Sequence, residues 1–193
     1  MKIGITGHTH GIGKVTFELL SNNGHTVTGF SRQNGYDIDS VENRNKILKE
    51  IEDFDVFINN AFSMNQTTLL TELINLWDGK DKLIINLGSK VTMMDFDTIP
   101  ENYIVPGQLQ YVAEKRKQEQ IIKDRIPYAF PQLTNLVIGL TDTRMVAFWD
   151  AVKIDPKHVA ATIDFVISNR DFIEVQTMVI DVPKQRITEI KMH

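Results

Sequence analysis

Three glycines in the run Thr6-Gly7-His8-Thr9-His10-Gly11-Ile12-Gly13 stand between a short apolar strand, Lys2–Ile5, and a stretch of helical periodicity that opens at Gly11. Glycines so placed let the chain turn tightly and bring backbone amides against a pyrophosphate, whose charge rests on a helix N-terminus. The spacing is Gly-x-x-x-Gly-x-Gly, not the commoner Gly-x-Gly-x-x-Gly, so the weight falls on position: the loop follows the first strand and opens a helix. Some twenty residues on, an acid would hold the ribose 2′-hydroxyl of NAD. There the chain has Ser31-Arg32 and no carboxylate before Asp37. A guanidinium pairs bidentately with phosphate and a serine hydroxyl adds a hydrogen bond, so this pair suits the 2′-phosphate of NADP better than NAD. His10 adds a part-time charge beside the loop. Further along, Tyr111 and Lys115 are four apart in a helical stretch and share a face. A phenol near pKa ~10 is a poor base at neutral pH, but a neighbouring ammonium favours its phenolate. Such a pair could pass a proton to or from an oxygen.

The elements that must hold these residues alternate along the chain, the pattern of an α/β fold with a parallel sheet. Strands are expected at Lys2–Ile5, Thr26–Phe30, Val56–Ile58, Lys82–Leu87, Asn135–Ile138 and Thr177–Asp181, with Ile38 closing a very short further one. Helices are expected over Gly11–Asn23, Ser40–Ile51 (capped by Asp39 or Ser40), Thr67–Trp77, Gln108–Asp124 and Pro156–Ser168. One domain to about residue 183 and a polar tail, 184–193, account for the 193 residues.

Composition narrows the function classes. With no cysteine, disulfide scaffolds, iron–sulfur clusters, zinc–thiolate sites and cysteine nucleophiles are excluded, and no metal site is read. A net charge of −4 is a poor footprint for nucleic acid or an anionic membrane. The apolar runs are too short to span a bilayer, and the glycine loop begins too early to leave room for a signal peptide, so a cytoplasmic protein is expected.

Thr6-Gly7-x-x-x-Gly11-x-Gly13 resembles the cofactor motif of the short-chain dehydrogenases/reductases, and further signatures of that family follow in order. Asn59-Asn60-Ala61-Phe62 resembles Asn-Asn-Ala-Gly, with Phe62 in place of the glycine. Ser89 ends a strand where the family places its catalytic serine, and Tyr111-Val112-Ala113-Glu114-Lys115 supplies Tyr-x-x-x-Lys. Gly139-Leu140-Thr141-Asp142-Thr143 resembles Pro-Gly-x-x-x-Thr, with Ile138 where proline is usual. The glycine loop or Tyr-x-x-x-Lys alone is a weak signal; the ordered set, over residues 1 to 182, is a strong one.

The resemblance implies a Rossmann-like, doubly wound α/β sandwich with a mainly parallel sheet of six or seven strands. It also implies an NADP(H)-dependent oxidoreductase, NAD(H) being the less favoured cofactor, acting on a small carbonyl or alcohol. Tyr111 would be general acid/base, Lys115 would lower its pKa and hold the nicotinamide ribose, and Ser89 would orient the substrate oxygen. Asn65, with Asn75 as rival, would be the fourth catalytic residue, an asparagine supporting a water-linked proton path. Cofactor contacts would come from Gly7, Thr9, His10, Gly11, Ile12 and Gly13, from Ser31, Arg32, Asp37 and Ile38, from Asn60 and Ala61, and from Gly139, Thr141 and Thr143. Asp37 would meet the adenine edge. Met93, Met94, Met145, Phe148 and Trp149 would give an apolar substrate wall, and Arg116 and Lys117 a solvated helix face. A homodimer or homotetramer is implied, with the Thr67–Trp77 and Gln108–Asp124 helices in contact. The other reading is a catalytically silent NADP-binding sensor or regulatory module on the same fold.

The chain is short for that family. Between Arg32 and Asp37 there is no room for the helix that normally joins the second and third strands, and the Thr143–Asp155 interval leaves only a small lid. An open, shallow site is therefore expected.

Overall fold

The computed structural model describes residues 1–98, 104–125 and 130–183. The strands are β1 (Lys2–Thr6), β2 (Thr26–Phe30), β3 (Val56–Asn59), β4 (Leu83–Ser89), β5 (Gln132–Ile138) and β6 (Thr177–Ile180). Between them run α1 (Gly11–Asn22), α2 (Val41–Glu50), α3 (Gln66–Leu76), α4 (Gln108–Arg125) and α5 (Pro156–Asn169). Every pairing is parallel, in the order β2-β1-β3-β4-β5-β6. Central strands of such a sheet are covered on both faces, which explains why Val56-Phe57-Ile58 and Leu83-Ile84-Ile85 are continuous apolar runs rather than alternating ones.

Two cores flank the sheet. On one face Leu20 of α1 meets Val159, Ile163 and Ile167 of α5. On the other, Ile47, Leu69, Leu73, Trp77 and Ile122 bring α2, α3 and α4 together. The sheet advances in one direction from β3 to β6, yet α5 lies on the face opposite α3 and α4. The last crossover therefore has the opposite hand to the two before it, an exception to the usual rule. Helix starts follow local chemistry: Ser40 Oγ accepts from the Asn43 amide at 3.3 Å to cap α2, and Asp155 accepts from Lys157 N at 2.9 Å just before Pro156.

As the spacing required, no α-helix stands between Phe30 and Ile38, only one 3-10 turn, Arg32–Asn34, closed by Gly35 at φ +88°. The short strand expected to close at Ile38 does not form, so the sheet has six strands. Ile38 instead drops its side chain into the core, and its carbonyl accepts from the buried Arg44 guanidinium at 2.9 Å. That guanidinium also pairs with Glu72 of α3 at 3.0 Å. A backbone carbonyl spent on Arg44 is not free for a sheet ladder. The residues assigned to the polar tail, 184–193, and Pro100 of the loop after β4 lie outside the described residues. No described helix is long and apolar enough to cross a membrane.

The winding reverses beside β1, whose neighbours β2 and β3 come from opposite directions of travel. In open α/β sheets the crevice at the carboxyl ends of such strands receives the ligand. The glycine loop, Arg32 and Asn60 all emerge there.

Candidate active site

The loop between β1 and α1 is built for close approach. Gly7 and Gly11 hold φ of +72° and +55°, and a Cβ on Gly13 would lie 2.3 Å from the Gly7 carbonyl oxygen. Asn60 and Ala61, just past β3, stitch the loop down: both amides donate to Thr6 Oγ1, at 3.0 and 2.9 Å, and Asn60 Nδ2 donates to the Thr6 carbonyl at 2.7 Å. The Asn60 side chain thus shapes the cradle from behind. His8 packs over Gly29, where a Cβ would meet its ring at 2.2 Å, and beside Phe17. Burial pushes its imidazole pKa down. His10 caps α1 from extended backbone, with Nδ1 against Thr9 Oγ1 at 2.9 Å. Across the crevice the Thr143 methyl lies 3.2 Å from where a Gly11 Cβ would stand, while Thr141 Oγ1 donates to the Gly139 carbonyl at 3.0 Å.

Beside this loop opens a cavity of about 240 Å³, walled by Gly7, His10, Arg32, Asp37, Ile38 and Phe62 among others. Arg32 enters no ion pair among the described residues. Ser31 is otherwise engaged: its hydroxyl and its amide both donate to Asn34 Oδ1, at 3.0 and 2.8 Å, which fixes the turn. Asp37 Oδ1 accepts from the Asp39 amide at 3.1 Å. A glycine cradle that no side chain could share, at a helix N-terminus and next to a cavity carrying a free guanidinium, fits the pyrophosphate and adenosine half of a nicotinamide dinucleotide.

The residues expected to handle a proton converge one strand further along. Ser89 ends β4, and its hydroxyl is near enough to the Tyr111 phenol on α4 to influence its ionisation. Burial pushes the Tyr111 pKa above its ordinary value, and the Ser89 hydroxyl draws it partly back. Lys115 lies one turn on, only 3% exposed, its Nζ donating to Leu87 O at 2.6 Å and to Gln66 Oε1 at 2.8 Å. Desolvation drops its pKa from 10.5 to about 7, against the pull of Glu114 and Glu119. The ammonium expected to ease phenol ionisation is therefore itself only partly charged at neutral pH. Phe62, the residue in place of glycine, closes this corner: its ring stands edge-on to Tyr111 at 4.6 Å, with Lys115 Nζ 5.8 Å from its centroid.

Asn65 does not join this group. It stands at the N-cap of α3 with Nδ2 donating to Asp39 Oδ1 at 2.8 Å, and Asn75 lies exposed near the far end of that helix. The residue that reaches Lys115 from α3 is its neighbour Gln66, wholly buried. Three asparagines, of which only Asn59 stood out in the sequence through its motif, support the same corner. Asn59, Asn86 and Asn135 sit side by side on β3, β4 and β5, Asn59 Nδ2 donating to Asn86 Oδ1 and Asn86 Nδ2 to Asn135 Oδ1, each at 3.0 Å. A polar residue inside a buried apolar strand requires such a partner, and that was the signal available.

The segment after Ser89 is clamped by α4. Arg116 and Lys117 are exposed, as expected of a solvated face, and Arg116 also donates to Thr92 O at 3.2 Å and Met94 O at 2.8 Å, while Thr92 Oγ1 donates to Glu119 Oε1 at 2.7 Å. Lys90 pairs with Asp181 beyond β6. Met93, Met94, Met145, Phe148 and Trp149 are all exposed, Phe148 at 69%, so the expected apolar wall stands open to solvent.

Searches of family models and of curated sequences return no match. Solved structures do match. The 3-alpha-hydroxysteroid dehydrogenase from Pseudomonas sp. B-0831, complexed with NADH, superposes with a TM-score of 0.74 at 17% identity over 100% of both chains. A 3-ketoacyl-(acyl-carrier-protein) reductase from Brucella melitensis, complexed with NADH, gives 0.72 at 16% over 96% of this chain and 97% of its own. A short-chain dehydrogenase from Burkholderia cenocepacia J2315, in complex with NADP, gives 0.69 at 15% over 97% and 90%. The chain has the short-chain dehydrogenase fold. At such identities the likeness is one of architecture. In this chain the 3-10 turn Arg32–Asn34 follows β2 directly and leads into Asp37.

Proposed function

We propose that this protein is an NADP(H)-dependent oxidoreductase of the short-chain dehydrogenase/reductase family, transferring hydride between nicotinamide and the carbonyl or alcohol carbon of a small molecule. The observation that carries the reading is the convergence of Ser89, Tyr111 and Lys115 at the carboxyl end of β4, on the same edge of the sheet as the glycine cradle. The bound nicotinamide supplies the hydride chemistry. Tyr111, kept as a phenol by burial, has a proton to give, which suits carbonyl reduction at neutral pH. Ser89, close to that phenol, orients the substrate oxygen as negative charge develops. Lys115, when protonated, would offer its third N–H to the ribose hydroxyls, and Arg32, unpaired at the cavity wall, would meet the 2′-phosphate. Two copies or four make up the assembly implied by the same family resemblance.

A sensor that binds NADP without turning it over is the second reading, favoured by Phe62 lying against Tyr111 and Lys115. Titration of NADPH and NADH by fluorescence, followed by a panel of ketones, quinones and acyl thioesters monitored by NADPH oxidation, separates the two. The oxidoreductase turns over at least one carbonyl and binds NADPH tighter than NADH. Arg32→Ala narrows that preference by about tenfold or more, the loss of a charge-assisted phosphate contact. Equal affinity for the two cofactors, or an unchanged preference in the variant, refutes the NADP assignment.

A further inference from the structure

Lys115 is held in a way that its sequence motif does not announce. Gln66, the first residue of α3, is 0% exposed and bonded on both ends of its side-chain amide. Its Nε2 donates to the Asn59 carbonyl of β3 at 2.9 Å, and its own backbone carbonyl accepts from Asn59 Nδ2 at 3.4 Å. Because a carbonyl can only accept, this contact fixes which way the amide points: Oε1 must face the lysine, where it accepts from Nζ at 2.8 Å. Leu87 O of β4 takes a second N–H at 2.6 Å, whereas Gln118 Oε1 at 3.5 Å is too far for a good hydrogen bond. The nitrogen is thus gripped from two elements, with the Gln118 amide oxygen of α4 facing it on a third side.

We propose that Gln66 is the positioning residue of Lys115. Its amide, locked to the strand whose next residue, Asn60, anchors the glycine cradle, holds the lysine nitrogen at the point from which it serves the ribose and Tyr111. A lysine side chain left to itself has four rotatable bonds and a large entropy to lose. Here that cost is met within the fold, before any ligand arrives. Asn65, one residue earlier, is bonded to Asp39 and cannot do this. The proposal deepens the oxidoreductase reading and rests on it for its consequence in catalysis.

The titratable groups facing Nζ are Tyr111, Glu114 and Glu119, all from α4, and the Glu114 carboxylate is already turned to the Thr67 amide at 3.0 Å. From α3 and β4 the nitrogen meets the Gln66 amide and the Leu87 carbonyl. Changing the α3 contact must therefore change how Lys115 titrates. Lysine labelled with ¹³C at Cε, its Lys115 signal assigned by loss in Lys115→Arg, reports this in the full chain without cofactor or turnover. Gln66→Glu, equal in size, should raise the midpoint by about one unit or more by placing a carboxylate on the nitrogen. Gln66→Leu should lower it, since an acceptor for the charged form is lost. Gln66→Asn, with the amide one methylene short, should fall between wild type and Gln66→Leu and weaken NADPH binding less than Gln66→Leu does. Thermal unfolding confirms that each variant is folded. If Gln66→Leu does not fold, Gln66→Glu decides. A midpoint within about 0.3 unit of wild type in folded Gln66→Glu overturns the proposal. A protein that shows the shifts but reduces no carbonyl loses the oxidoreductase reading and keeps the positioning role. One that reduces carbonyls with Lys115 unshifted in the variants does the reverse.

Discussion

Replacing Lys115 by Met should change how the stability of this protein depends on pH, and the structure gives the sign. The buried amine titrates at about 7 in the folded chain against 10.5 when solvated. Below pH 7 both states carry the proton, and the cost of burying the charge is present in full. Between 7 and 10.5 the unfolded chain holds a proton that the folded one has released, so unfolding becomes harder as pH rises. One proton gives a slope of at most about 1.4 kcal/mol per pH unit. Lys115→Met abolishes that contribution while leaving the other titrating groups in place. The assay is urea unfolding of both proteins at pH 7, 8 and 9, below the range in which Tyr111, itself raised, begins to ionise. The wild-type minus variant difference should climb by roughly 1 kcal/mol or more per unit across that range. Met leaves Gln66 Oε1 and Leu87 O without their donor, which lowers the variant at every pH but adds no slope. A difference that is flat, or falls with pH, refutes the claim that Lys115 is buried with a depressed pKa.

Two further substitutions test the frame around the site. Asn86→Leu removes the middle of the asparagine row and leaves Asn59 Nδ2 and Asn135 Oδ1 short of a partner; it should cost about 2–4 kcal/mol of unfolding free energy in urea, against under 1 for an exposed asparagine. Arg116→Met frees the Thr92 and Met94 carbonyls; limited proteolysis should then cut at the exposed Met93–Met94 segment several-fold faster than in wild type, with global stability lowered by only about 1–2 kcal/mol.

How far the sequence disclosed this structure depended on whether a feature left a mark on residue type. The glycine loop did, because only glycine accepts φ of +72° and +55° where a ligand must come close. The central strands did, because burial on both faces demands unbroken apolar runs. The strand expected at Ile38 failed on a contact that lies 6 residues away in the chain, the Arg44 guanidinium taking its carbonyl. Asn65 and Gln66 show how fine the margin is on a helix. One residue is a turn of about 100°, enough to send one side chain to Asp39 and the other into the core against Lys115. Arg116 is exposed as its sequence suggests, but its partners were illegible, because they are backbone carbonyls and a loop's backbone has no sequence signature. Phe62 was visible as a departure from the motif, but its placement on Tyr111 required the three-dimensional packing of α4 against the end of β3.

The central claim is that Tyr111 delivers the proton in an NADPH-dependent carbonyl reduction, and Tyr111→Phe tests it most directly. The substitution keeps the ring against Phe62 and removes only the hydroxyl. On any carbonyl that the wild type reduces, kcat should fall by about 10²–10⁴, the usual worth of a positioned acid, while NADPH affinity measured by fluorescence changes less than about threefold. NADPH binding retained with turnover undiminished in Tyr111→Phe would contradict the account.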